Sequence, residues 1–116
     1  VVKISDKSDL RILIKIEGLD EYSRIVIRQF PKYEKFLLSA EIRVQLLAIK
    51  RNAIRAGKKY YKKTTLQDLD IDIEILRGYI REAYHMGYIN ERRLGIWMNK
   101  VDEIGRMAGA WIKAST

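Results

Sequence analysis

The feature that most constrains this chain is a pair of evenly spaced apolar stripes with almost nothing between them. Leu66, Leu69, Ile73, Leu76, Ile80 and Ala83 recur at alternating intervals of three and four, which keeps them on one face of a helix over residues 66–86. Leu94, Trp97, Val101, Ile104, Ala108 and Trp111 repeat that pattern over residues 91–113. Gly87 suits a left-handed stop for the earlier helix and Asn90 suits the N-cap of the later one, so only Tyr88 and Ile89 separate them. So short a connection forces the two helices antiparallel, as a helical hairpin. Thr65, with Asp68 three residues on, reads as a capping-box-like start, and Asp68, Asp70, Asp72 and Glu74 crowd the positive end of the helix dipole.

Two more helices are expected upstream. One, over residues 34–56, carries two apolar stripes side by side: Leu37, Ala40, Val44, Leu47 and Ile54, and Leu38, Ile42, Leu46, Ile49 and Ala53. That is more apolar surface than a monomeric bundle needs, and it predicts packing against another subunit. Gly57 is expected to end this helix, leaving residues 58–64 as a polar linker. The first helix, over residues 10–30, is marked by Leu19, Tyr22, Val26 and Phe30 and stopped by Pro31. Residues 11–17 could alternate as a strand or extend this helix through Ile12 and Ile16; the helical reading is preferred, with residues 1–8 unstructured. With 116 residues there is room for one core, so the expected architecture is an all-α, up-down four-helix bundle in a single domain.

Composition narrows the chemistry. The absence of cysteine excludes disulfides and thiolate metal sites. No apolar run approaches the roughly eighteen residues of a membrane span, and the first residues lack the apolar core of a secretory signal, so the cytosol is the expected compartment and no membrane partner is expected. The net charge of +8 is concentrated: between Ile42 and Leu66 stand Arg43, Lys50, Arg51, Arg55, Lys58, Lys59, Lys62 and Lys63 with no acid, while basic and acidic residues balance elsewhere. Such asymmetry points to a polyanionic partner. Tyr60 and Tyr61 sit among the lysines, where cations can meet phosphates and ring faces can stack on unpaired bases. These ten residues, Arg43, Lys50, Arg51, Arg55, Lys58, Lys59, Tyr60, Tyr61, Lys62 and Lys63, are the candidate nucleic-acid contacts. Part of the cluster also suits a helix C-terminus on dipole grounds alone.

Other features are weaker. Arg81 and His85 share a helix face and resemble the arginine–histidine pair of HEPN ribonucleases, but they stand one residue closer than that motif allows. A histidine placed for the helix dipole is the better reading. Of Asp70, Asp72 and Glu74, alternating spacing on a helix sends neighbours to different faces and leaves only Asp70 aligned with Glu74, which disfavours a metal site. Trp97 and Trp111 are core anchors, and Gly105-x-x-x-Gly109 suggests close helix approach. No glycine-rich nucleotide loop, nucleophile elbow or zinc spacing is present, so neither catalytic residues nor a cofactor is expected.

Several segments taken together resemble a known family. Phe30-Pro31-Lys32, Lys35-Phe36-x-Leu38, Glu74-x-Leu76-Arg77-x-x-x-Arg81-x-Ala83 and Asp102-Glu103-Ile104-Gly105-Arg106-Met107-x-Gly109-x-Trp111-Ile112 are similar to the accessory variability determinant (Avd) proteins of diversity-generating retroelements. Their sister group is the bundle proteins encoded in ribosomal RNA intervening sequences. The resemblance implies a four-helix bundle assembled as a ring-shaped homopentamer. It further implies a basic surface that associates with a reverse transcriptase and with RNA or an RNA/DNA hybrid during mutagenic cDNA synthesis. Catalysis would belong to the polymerase. Arg77 and Arg81 match family positions and are candidate partner contacts, with ion pairing to Glu74, Asp102 or Glu103 as the structural alternative.

Overall fold

A computed structural model describes residues 6–115, with side-chain environments from Leu10 onward. Among the described residues there are four α-helices, α1 (Asp6–Ile27), α2 (Leu38–Lys58), α3 (Lys63–His85) and α4 (Glu91–Ala114), with a 3-10 turn at Lys32–Glu34 between the first two. Among the described residues there is no strand, so residues 11–17 are helical. Of the segment expected to be unstructured, residues 1–5 lie outside the described residues, and residues 6–8 belong to the first turns of α1.

Cross-helix contacts fix the directions. Trp97 meets Ser23 and Glu103 meets Lys15, so α1 and α4 run antiparallel. Gln45 meets Asp72 and Glu41 meets Tyr79, which sets α3 antiparallel to α2. Arg77 meets Asp102, completing the α3–α4 hairpin. The result is an up-down bundle about 48 Å long.

The hairpin follows its sequence closely. All six stripe residues of α3 are fully buried, as are Trp97, Val101, Ile104 and Ala108 of α4. Gly87 takes φ +81, the left-handed stop that a Cβ would strain. Asn90 Oδ1 accepts from the Arg93 N–H at 2.8 Å, a cap worth about 1 kcal/mol.

Elsewhere the boundaries move. The helix expected from residue 34 begins at Leu38, because Glu34 closes a 3-10 turn and its carboxylate accepts from the Leu38 N–H at 3.1 Å. Gly57 does not end α2, which continues to Lys58, since other contacts satisfy its last carbonyls. Thr65 is not a helix start either: α3 begins at Lys63, and Thr65 is buried inside its first turn. The two stripes of α2 lie on opposite sides of the helix rather than side by side. Leu38, Ile42, Leu46, Ile49 and Ala53 enter the core, while Leu37, Val44, Leu47 and Ile54 face outward, Val44 with 62% of its surface exposed. On α3, Ile71 and Ile75 are also exposed.

One polar relay crosses the core. The Trp97 indole N–H donates to Ser23 Oγ at 2.8 Å, and the Ser23 hydroxyl donates to the Leu19 carbonyl at 2.7 Å. Both side chains are fully buried, so each hydrogen bond replaces one that water would otherwise supply.

Candidate nucleic-acid interface

Antiparallel packing brings the C-terminus of α2, the N-terminus of α3 and the end of α4 to one end of the bundle. Only residues 59–62 join α2 to α3 there. Lys58, Lys59 and Lys63 are exposed on this turn, and Tyr60 and Tyr61 project from its tip with 86% and 84% of their surfaces free. Their rings meet edge to face at 4.8 Å between centroids, an arrangement that leaves aromatic surface open to an unpaired base. Tyr60, Tyr61, Lys62, Lys63 and Ser115 line a shallow concavity at this end.

Lys62 differs from its neighbours. Its ammonium donates to the carbonyls of Ala56 and Lys59, each at 2.7 Å, and lies 6.0 Å from the centre of the Trp111 ring. It therefore closes the C-terminus of α2, taking up a carbonyl the helix leaves open. The lysines at 58, 59 and 63 have no such duty visible in their contacts, and they form the accessible part of the cluster.

The remaining cations divide by helix face. Arg43 and Lys50 are exposed on one flank of α2. Arg51 and Arg55 share a groove with Ala48, Asn52, Asp68, Ile71 and Asp72, so two acids of α3 stand beside two arginines of α2. In sequence the basic window contains no acid; in space its middle has two acidic neighbours. Asp72 itself accepts from Gln45 at 3.0 Å and from Asn52 at 2.6 Å, fastening α3 to α2.

Arg77 is a structural partner of the hairpin. Its guanidinium donates to Asp102 and to Glu74, each at 2.9 Å. Partial burial opposes its charge, but the hydrogen bonds to Asp102 and Glu74 outweigh that and hold its pKa above the ordinary arginine value. The same guanidinium explains Gly105. A Cβ at that position would fall 2.6 Å from Arg77 Nη2, whereas at Gly109 nothing lies within 4 Å. The Gly105-x-x-x-Gly109 pair is thus one real close approach, made by an arginine rather than by a helix backbone. A double-mutant cycle follows from this. Gly105→Ala should stabilise an Arg77→Ala protein by up to about 1 kcal/mol through helix propensity, and gain less, or nothing, in the wild type, where it displaces a pinned guanidinium. Equal effects in the two backgrounds, read from urea denaturation, would break the assignment.

Arg81 and His85 are both exposed, and Arg81 Nη2 sits 3.8 Å from Glu74, toward the N-terminus of α3 and away from His85. The pair does not converge on a common point. Among the described residues no group of three or more histidine, cysteine or carboxylate side chains could hold a metal ion, and no helix is long and apolar enough to cross a membrane. A signal for Glu34 was available in its place four residues before Leu38, but the capping role of Lys62 had none, because it depends on where the chain turns.

Fold and surface together define a class: a four-helix bundle protein with one basic, tyrosine-bearing end and an apolar outer face on one helix. A family model described as bAvd-like matches residues 10–115, and the chain belongs to that family. No curated protein matches it.

Proposed function

We propose that the chain is a non-catalytic accessory protein of a diversity-generating retroelement. In this reading it binds single-stranded nucleic acid through the exposed turn between α2 and α3, and it works bound to the element's reverse transcriptase during template RNA-dependent mutagenic cDNA synthesis in the cytoplasm. The observation that carries the reading is the joint exposure of Lys58, Lys59, Lys63, Tyr60 and Tyr61 at one end of a bundle belonging to the bAvd-like family. Lysines supply phosphate contacts and tyrosines supply stacking, a combination suited to unpaired strands of either RNA or DNA.

The outward stripe of α2 supports a homo-oligomeric working form, taken here as a cyclic pentamer. Leu37, Val44, Leu47 and Ile54 form an apolar row longer than solvent exposure favours, and Ile71 continues it across the groove to α3. Arg51, which shares that groove with Asp68, then falls among inter-subunit contacts, and phosphate binding rests on the end of the bundle and on Arg43 and Lys50. A ring built through the sides of the bundles would gather one basic turn from each copy on the same rim, multiplying weak contacts.

A reconstituted reaction tests the role. With the neighbouring polymerase and its template RNA, cDNA should accumulate only when the chain is added. Full cDNA yield in its absence would remove the accessory role. Binding of ribosomal RNA with no polymerase partner would favour the intervening-sequence branch. Cleavage of the RNA that disappears in His85→Ala would favour a ribonuclease.

A further inference from the structure

The opposite end of the bundle carries a second feature, on the connection between α1 and α2. This connection is firmly held. Glu34 is buried, accepting from the Leu38 N–H through one carboxylate oxygen and from the Tyr88 hydroxyl through the other. The Tyr33 and Tyr88 hydroxyls are 3.2 Å apart, and the Phe30 ring lies beneath the turn, 5.3 Å from Tyr88 and 6.4 Å from Trp97. The hydrogen bond that the Tyr88 hydroxyl donates to Glu34 raises the phenol above its ordinary pKa, since the carboxylate favours the protonated form.

On this fixed turn Phe36 is 82% exposed, with Leu37 and Tyr33 exposed beside it. The Lys35 ammonium stands 5.4 Å from the Phe36 ring. Leu37 leads directly into the outward row of α2 through Val44 and Leu47. Along the turn itself the exposed charge has one sign: Arg28, Lys32 and Lys35 are exposed, the single acid in residues 28–37 is Glu34, buried and already bonded, and the next acid, Glu41 on α2, accepts from Tyr79.

We propose that this turn is a preformed protein-docking knob, with Phe36 as the anchor that enters an apolar pocket of a different protein whose rim carries carboxylates. Aromatic anchors dominate interface energetics when they enter a desolvated pocket, and a turn already ordered in the free protein loses little entropy on binding. Lys32 and Lys35 then select a rim of opposite charge. A second copy of this chain fits the requirement poorly, because its groove between α1 and α4, lined by Ile12, Met107 and Trp111, is bordered by two cations, Arg11 and Arg106, and by one carboxylate, Glu103, that is already paired with Lys15 at 3.0 Å. A nucleic-acid strand would use the cations and the ring, but it gives no role to the exposed Leu37 beside Phe36.

The inference rests on the reading above that a polymerase is the partner. The test uses the full chain, wild type and Phe36→Ala, titrated in parallel with the neighbouring reverse transcriptase and with a polyuridylate strand. Phe36→Ala, whose side chain is outside the core, should keep its helical content and its polyuridylate affinity while losing about 30-fold or more in polymerase affinity. Lys32→Glu with Lys35→Glu should weaken the same complex. Undiminished polymerase binding by Phe36→Ala overturns the knob and leaves the functional reading standing. Loss of polyuridylate binding without loss of polymerase binding makes the turn a base-stacking site and also overturns it. Failure of the wild type to bind the polymerase removes the functional reading and the knob together.

Discussion

Val44→Asp combined with Leu47→Asp should leave the protein a folded monomer of 13.6 kDa, whereas the wild type should scatter light as about five subunits, near 68 kDa. Both side chains point away from the core, so the substitution costs the isolated bundle little. In an assembly built on that face, every interface would bury carboxylates without partners, at several kcal/mol each. The penalty recurs at every contact around a closed ring, which is why assembly should be lost rather than weakened. Light scattering with circular dichroism separates the outcomes. A wild-type monomer at micromolar concentration would contradict the assembly itself, and a variant that stays assembled would move the interface to another face.

The core should respond as strongly at Trp97. Trp97→Ala removes the largest fully buried side chain, with an expected loss of about 3–5 kcal/mol, a substantial part of the roughly 5–15 kcal/mol available to a domain. Ser23→Ala tests the polar half of the same contact. It leaves the indole N–H facing an apolar site, at about 1–3 kcal/mol. Because the two residues share one hydrogen bond, the double variant should lose less than the sum of the singles. Urea midpoints measure all three. A Ser23→Ala protein as stable as wild type would show that the relay does not contribute.

The hairpin was legible from sequence because its signals are local. The stripes, Gly87 and Asn90 each act within a few residues, and their roles do not depend on the rest of the fold. The first connection and the turn between α2 and α3 were less legible for the opposite reason. Glu34 caps Leu38 locally, but its other carboxylate oxygen is held by Tyr88, far away in sequence, and Lys62 caps α2 only because the chain folds back over Ala56. Capping at Thr65 failed as a signal because three more residues could continue the helix toward a lysine already anchored. For the candidate contacts, the sequence shows where charge is dense and could not show that Asp68 and Asp72 line the same groove as Arg51 and Arg55, since that neighbourhood is made between helices. Periodicity likewise revealed two apolar rows on α2, and the bundle assigns one to the core and the other to the outside.

The most direct test of the account is the affinity of the protein for polyuridylate over a series of salt concentrations, compared with Lys58→Gln/Lys59→Gln/Lys63→Gln. Lys62 is left intact, since its ammonium serves the backbone. Each phosphate contact on a single strand contributes about −0.7 to the slope of log affinity against log salt, so losing three should flatten that slope by about 2. Replacing Tyr60 and Tyr61 by alanine should reduce affinity without changing the slope, at on the order of 1–3 kcal/mol per stacked base, and should spare duplex binding. An unchanged slope and unchanged affinity in the glutamine variant would contradict the account, and would make the exposed turn a solvated helix end with no nucleic-acid role.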